Sequence, residues 1–142
     1  MKPLENYKDI NDFKVYLSDT GLLCAQKGIR AEDVLFMEDE MPDFKGGMTE
    51  NYVCSQLIRA GLMPYYWRND KGTKEVDFIV ALQGKLIPIE VKSGENVGAE
   101  SLKEYLRRYE TPYAIRISMK NFGFENGIKS VPLYAVGCIQ DC

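Results

Sequence analysis

Glu75-Val76-Asp77-Phe78-Ile79-Val80-Ala81-Leu82-Gln83-Gly84-Lys85-Leu86-Ile87-Pro88-Ile89-Glu90-Val91-Lys92 is the stretch on which the fold of this chain turns. Two β-rich runs flank Gln83-Gly84, a spacing that predicts a tight hairpin. If residues 83–84 form the whole loop, Leu82 faces Lys85 and Asp77 stands directly opposite Glu90. Side chains alternate faces along a strand, so Glu90 and Lys92 share one face, with Ile87, Ile89 and Val91 on the other. Carboxylates directly opposite one another repel. An acid inside a run as apolar as Val76 to Val80 is also costly unless it has a partner.

Upstream of the hairpin, Pro64-Tyr65-Tyr66-Trp67-Arg68 predicts an aromatic strand, and Asn69-Asp70-Lys71-Gly72 a turn. A helix is expected from Met48, capped by Thr49, carrying Tyr52, Val53, Leu57 and Ile58 near helical spacing and ended by Gly61. Before it, Lys45-Gly46-Gly47 and the acidic run Glu38-Asp39-Glu40-Met41-Pro42-Asp43 read as a loop. Ala31 to Phe36 reads as a helical turn. Asp12 to Asp19 alternates like a short strand, and Asp19-Thr20-Gly21-Leu22-Leu23 leads into a helix. Downstream, Ser93-Gly94-Glu95-Asn96 is a loop. Ala99 to Tyr109 is a helix with Leu102, Tyr105 and Leu106 inward. Tyr113 to Ser118 is a strand, and Val131 to Val136 the last one. Helix, three-strand meander, helix, strand, strand is the order of an α/β domain with a mixed sheet flanked by helices.

At 142 residues, 45% apolar and 27% charged, the chain has the size and composition of one globular domain. It contains no histidine, which removes Ser-His-Asp and Cys-His catalysis and HExxH zinc sites. Chemistry must rest on carboxylates, lysine, tyrosine or cysteine. Cys24, Cys54, Cys138 and Cys142 form no CxxC pair. With no signal-peptide pattern and no membrane-spanning run, a cytoplasmic protein with reduced thiols is expected. The net charge is −3, so the whole-molecule basic field of a nucleic-acid binder is absent. The acidity is concentrated in residues 1–49, which carry 6 basic and 10 acidic side chains. The remainder is close to neutral.

Paired carboxylates with a nearby lysine suit phosphodiester hydrolysis. Hard oxygen ligands favour Mg²⁺ or Mn²⁺, the metal activates water, and a lysine orients that water or stabilises developing charge. The bland alternative is that Glu90-Val91-Lys92 is merely the wet face of an amphipathic strand. Taken together, Gly46-Gly47-Met48-Thr49-Glu50-Asn51, Tyr66-Trp67-Arg68, Lys74-Glu75-Val76-Asp77-Phe78, Ile87-Pro88-Ile89-Glu90-Val91-Lys92-Ser93-Gly94 and Val131-Pro132-Leu133-Tyr134 resemble the C-terminal domain of a family of prokaryotic AAA-type ATPases. Phe13 to Leu23 fits that family's lead-in. The domain is itself of unknown function and is similar to the PD-(D/E)XK restriction-endonuclease-like nucleases.

The resemblance implies an αβββαβ restriction-endonuclease-like core over residues 47–142, with residues 1–46 as an N-terminal extension packed on it. It implies Asp77 and Glu90 as metal-binding carboxylates, Lys92 as the motif lysine, and Glu50 as a helix acid serving as an outer ligand. The Val91 backbone carbonyl is a further expected metal ligand. Alone, Glu50 reads better as an acid in the helix's first turn complementing the helix dipole. Tyr105 stands where some relatives carry a helix tyrosine facing the site, and reads equally as a core aromatic. Arg116 shares a face with Ala114 and Ser118 and is a candidate to approach the carboxylates. Tyr65, Tyr66 and Trp67 are candidates to stack on bases or to pack the sheet, and Lys103, Arg107, Arg108 and Lys120 to line a phosphate path or face solvent.

Val76 stands where the motif has proline. No P-loop occurs, so no ATP site is expected in this chain, and the ATPase would lie upstream or in trans. The expectation is a Mg²⁺-dependent nuclease-like module acting on nucleic acid. Its rival is a catalytically silent partner-binding or regulatory module of the ATPase.

Overall fold

In the computed structural model, residues 9, 11–30, 32–33, 42–94 and 98–142 are described. The strands are β1 (Tyr65–Arg68), β2 (Glu75–Leu82), β3 (Lys85–Val91), β4 (Ala114–Ser118), β5 (Gly123–Glu125) and β6 (Ile128–Pro132). Helices α1 (Thr20–Gln26), α2 (Pro42–Arg59) and α3 (Glu100–Arg108) accompany them, and a 3₁₀ helix spans Leu133–Cys138. The six strands form one mixed sheet in the order β1-β2-β3-β4-β6-β5. The β3–β4 and β4–β6 pairs are parallel, the others antiparallel. No helix among the described residues is long and apolar enough to cross a membrane.

The central hairpin closes as its sequence requires. Gln83 and Gly84 take φ of +49° and +76°, the mirror-image turn whose twist matches a right-twisted hairpin. The register runs from Leu82↔Lys85 to Phe78↔Ile89, as expected. Between β1 and β2 it slips: Tyr65 pairs with Ile79 and Trp67 with Val76. Two residues of β2, Asp77 and Phe78, thus oppose the single Tyr66 of β1, a bulge. The bulge breaks the alternation. Phe78, Val80 and Leu82 pack with Val53 and Leu57 of α2, whereas Val76 and Ile79 pack with Leu102 and Tyr105 of α3. The sheet therefore has an apolar core on each side, and the bulge decides which β2 side chain enters which.

Helix α2 begins six residues earlier than expected and crosses the anticipated division after residue 46. Pro42 sits at its first position, where a missing N–H costs nothing, and Asp43 is the acid of its first turn. Lys45-Gly46-Gly47 is helical, not a loop. Glycine in a helix costs about 1 kcal/mol, and the packing of the Val53–Leu57 stripe on the sheet outweighs it. Thr49 does not cap the helix. Its hydroxyl donates back to the Lys45 carbonyl at 2.8 Å. The other end matches expectation. Gly61 has φ +78°, with Gly61 N–H on the Ile58 carbonyl and Leu62 N–H on the Leu57 carbonyl, each at 3.0 Å. That is a Schellman stop.

Three further expectations are corrected. Residues 12–18 form no strand. Instead Asn51 of α2 holds Leu17 at both backbone groups, accepting from its N–H at 2.8 Å and donating to its carbonyl at 3.1 Å. A side-chain amide thus does the work of a neighbouring strand. Asp19 then caps α1, accepting from the Leu22 N–H. The polar loop after β4 contains the β5–β6 hairpin, closed by Asn126 and Gly127 at φ +52° and +76°. The last strand ends at Pro132 and gives way to the 3₁₀ helix. The turn expected over residues 31–36 lies outside the described residues apart from Glu32 and Asp33, as do residues 38–41 of the acidic run and Glu95-Asn96 of the loop after β3.

Candidate functional site

Asp77 stands where β2 bulges and the β2–β3 ladder ends. Instead of continuing the ladder opposite Glu90, its carboxylate reaches across the seam and accepts the Val91 N–H at 2.8 Å. Burial pushes its carboxyl up to about 7, further raised by the charges of Glu50 and Glu90 and opposed by the Val91 hydrogen bond and Lys14. Asp77 therefore feels one acid from α2 and another from β3.

Glu90 is buried, at 6% exposure. Since Ile87, Ile89 and Val91 pack on the α2 side, alternation turns Glu90 to the opposite side of the sheet. There Arg116 stands in register with it on β4, and Arg116 also donates to the Ser130 hydroxyl at 3.1 Å. Glu90 accepts from Lys92 Nζ on Oε1 at 3.1 Å. Burial raises its pKa, opposed by Lys92 and Arg116. Its other oxygen, Oε2, is buried with no hydrogen-bond partner among the described residues. Lys92 extends β3 by donating its backbone N–H to the Ile117 carbonyl at 2.8 Å, which holds its side chain beside Glu90.

Glu50 lies on the sheet-facing stripe of α2, with Val53, Cys54 and Leu57 at helical spacing. Because α2 starts at Pro42, Glu50 is well beyond the first turn, and the helix-dipole reading of it falls. Its Oε1 accepts from Lys14 Nζ at 3.1 Å and from the Tyr16 hydroxyl. Lys14 also pairs with Glu75. Burial, followed by the contact with Glu50, pushes the Tyr16 hydroxyl pKa up. Lys14 and Tyr16 escaped the sequence reading. The only sign of them was the alternation of Phe13-Lys14-Val15-Tyr16, and what places them is the Asn51 clamp on Leu17.

Tyr105 takes the core alternative. Its ring meets Trp67 edge-on at 5.4 Å and Tyr109 at 4.7 Å, and burial raises its hydroxyl to about 12. Trp67 Nε1 donates to the Tyr109 hydroxyl at 3.1 Å, so this aromatic strand packs the sheet edge against α3. Arg108 pairs with Asp70 at 2.9 Å on the surface.

Residues 45–136 match the model of a family described as a domain of unknown function, DUF4143. The chain belongs to the DUF4143 family. No curated protein and no solved structure matches it. The DUF4143 match contains Glu50, Asp77, Glu90, Lys92, Tyr105 and Arg116, whereas Lys14 and Tyr16 precede it. The Asp77–Glu90–Lys92 arrangement thus belongs to the DUF4143 region itself. Among the described residues, no group of three or more His, Cys, Asp or Glu side chains is gathered to hold a metal ion. The Asp77 carboxylate is engaged by the Val91 N–H and Glu90 Oε1 by Lys92. Carboxylate oxygens are hard donors of the kind that Mg²⁺ or Mn²⁺ takes, but no third acid joins Asp77 and Glu90 among the described residues. The four cysteines are free.

Proposed function

We propose that this DUF4143 chain is a Mg²⁺-dependent nuclease-like module with a restriction-endonuclease-like core, attached to or working with an AAA-type ATPase in the cytoplasm. The observation that carries the reading is the buried oxygen of Glu90 with no partner among the described residues, one strand from a half-buried carboxylate on Asp77. The helix–three-strand–helix–strand order around these residues supports it. In this reading Asp77, Glu90 and the Val91 carbonyl would hold the cation, while Glu50, on α2 and across the sheet from Glu90, would not ligate it directly. When bound, the cation supplies polarisation of a scissile phosphodiester and a more acidic water. Asp77 must shed its proton to serve, so loading the cation would release a proton. Lys92, 3.1 Å from Glu90, orients the attacking water or stabilises charge developing on the phosphate.

The test is cleavage of single- and double-stranded DNA and RNA with Mg²⁺ or Mn²⁺. Cleavage lost in folded Asp77→Ala, Glu90→Ala and Lys92→Ala supports the reading. A wild-type chain that cuts none of these substrates overturns it. The rival, a silent regulatory module of the ATPase, is favoured by the net charge of −3 and by the ion pair that occupies Glu90 Oε1. It predicts that the same substitutions leave association with the ATPase unchanged.

A further inference from the structure

Beyond the last strand, two thiols four residues apart come together at the surface. Cys138 ends the 3₁₀ helix, and both it and Cys142 are exposed and free. One backbone oxygen serves them. The Cys138 carbonyl accepts the Asp141 N–H at 2.9 Å and the Cys142 thiol at 3.2 Å, so the Cys142 sulfur lies over the turn that Cys138 opens. Residues four apart on a helical turn have Cβ atoms about 5–6 Å apart, and a disulfide brings them to about 3.8 Å. Closure therefore asks for a side-chain rotation and a small tightening of an exposed turn. The segment is fastened on three sides. Ile139 is buried in the core beside α2. Gln140 Nε2 donates to the Ala60 carbonyl, one of the acceptors that the end of α2 leaves without a helical partner. Lys129 Nζ on β6 donates to the Cys142 carbonyl at 2.7 Å. Cys54 lies inside the core and Cys24 donates to the Met48 sulfur at 3.6 Å, so the exposed dithiol stands apart from both.

From this placement we infer that Cys138 and Cys142 are a dithiol–disulfide redox site, a reversible staple on the turn that seals the end of α2. The inference is independent of the nuclease reading. The oxidant is a low-molecular-weight disulfide of the glutathione class. One protein thiolate attacks its S–S bond, forming a mixed disulfide and releasing one reagent thiol. The second protein thiolate attacks the protein sulfur of that mixed disulfide and releases the other. Two protein thiols thus lose two protons and two electrons, and the reagent disulfide takes them up as two thiols. Because the fold holds the second thiol beside the first, the internal step outruns capture of a further reagent molecule. Transient disulfides of this sensing kind are the ones that reducing compartments hold.

The experiment equilibrates the full chain with mixtures of reduced and oxidised glutathione, traps free thiols by alkylation and maps them by peptide mass. Cys138 and Cys142 are expected to lose their thiols together, at one glutathione ratio, in a peptide lighter by the two lost hydrogens and carrying no glutathione. Reduction is expected to restore both. Hydrogen exchange at the Asp141 amide is expected to slow about tenfold in the oxidised chain, as the closed loop restrains the turn. In Cys138→Ser, Cys142 is expected to carry glutathione instead, with Asp141 exchange unchanged. Both cysteines are exposed, so the serine variant keeps the fold. Separate glutathione adducts on the two wild-type cysteines, pairing of either with Cys24, or thiols that stay free in glutathione disulfide overturn the redox site. An internal disulfide that leaves Asp141 exchange unchanged overturns the staple.

Discussion

Asp77 is an acid kept near neutrality by its surroundings, and this has two measurable consequences. Its carboxyl stands at about 7 against an ordinary 3.8, so the folded chain holds a proton that the unfolded chain releases between those pH values. Stability is therefore greatest at the acid end of that window and declines as pH rises through it. Asp77→Asn retains an oxygen for the Val91 N–H and has no charge to bury. At pH 8 it should stabilise the fold by up to about 4 kcal/mol, with little effect at pH 4, as urea unfolding at the two values would measure. The same proton competes with metal, so Mn²⁺ affinity should climb with pH to about 7 and level off above it. A titration series at fixed ionic strength checks this, and a flat profile would remove Asp77 from the ligand set. At this scale Asp77, Glu90 and Lys92 were legible because charges in apolar strands stand out. Lys14 and Tyr16 were not, because their role depends on where a segment 34 to 36 residues from Glu50 is laid down.

The elements most exposed in the sequence were those whose turns carry their own chemistry. Gln83-Gly84 and Gly61 marked where a strand turned and a helix stopped. Gly61→Ala, which must keep φ near +78°, should cost about 1 kcal/mol by denaturant unfolding. Asn126-Gly127 carries the same signal, but apolar alternation flanks it on one side only. The start of α2 is hidden in the sequence for a different reason. Two glycines and an acidic run look like chain breakers, and only packing against the sheet makes them helical. The strip at residues 14–17 is not a strand because its backbone partner is a side chain. Asn51→Ala removes both bonds to Leu17, leaving its half-buried backbone groups unpaired. It should cost about 1–3 kcal/mol and speed proteolysis in residues 11–18 well before the sheet is cut.

Across the whole molecule, the central strands carry two apolar faces at once. Ile115 and Ile117 point into the core under α2, while Ala114 joins the one under α3. Ile117 is fully buried and lies on β4, between β3 and β6. Ile117→Ala should cost about 2–5 kcal/mol by thermal or urea unfolding, while Phe124→Ala on the exposed edge strand β5 should fall within about 0.5 kcal/mol. The sequence by itself determined the hairpin register, the mixed α/β order, the exclusion of histidine chemistry and the identity of the acids, because turn residues and alternation act over a few positions. Tertiary structure alone decided the rest. It set the bulge that aims Asp77 at Val91, the side of the sheet on which Glu90 meets Arg116, and the docking of Lys14 and Tyr16 on Glu50. Each depends on which strand or helix comes to lie against another, and that is settled by the burial of side chains far apart in the chain.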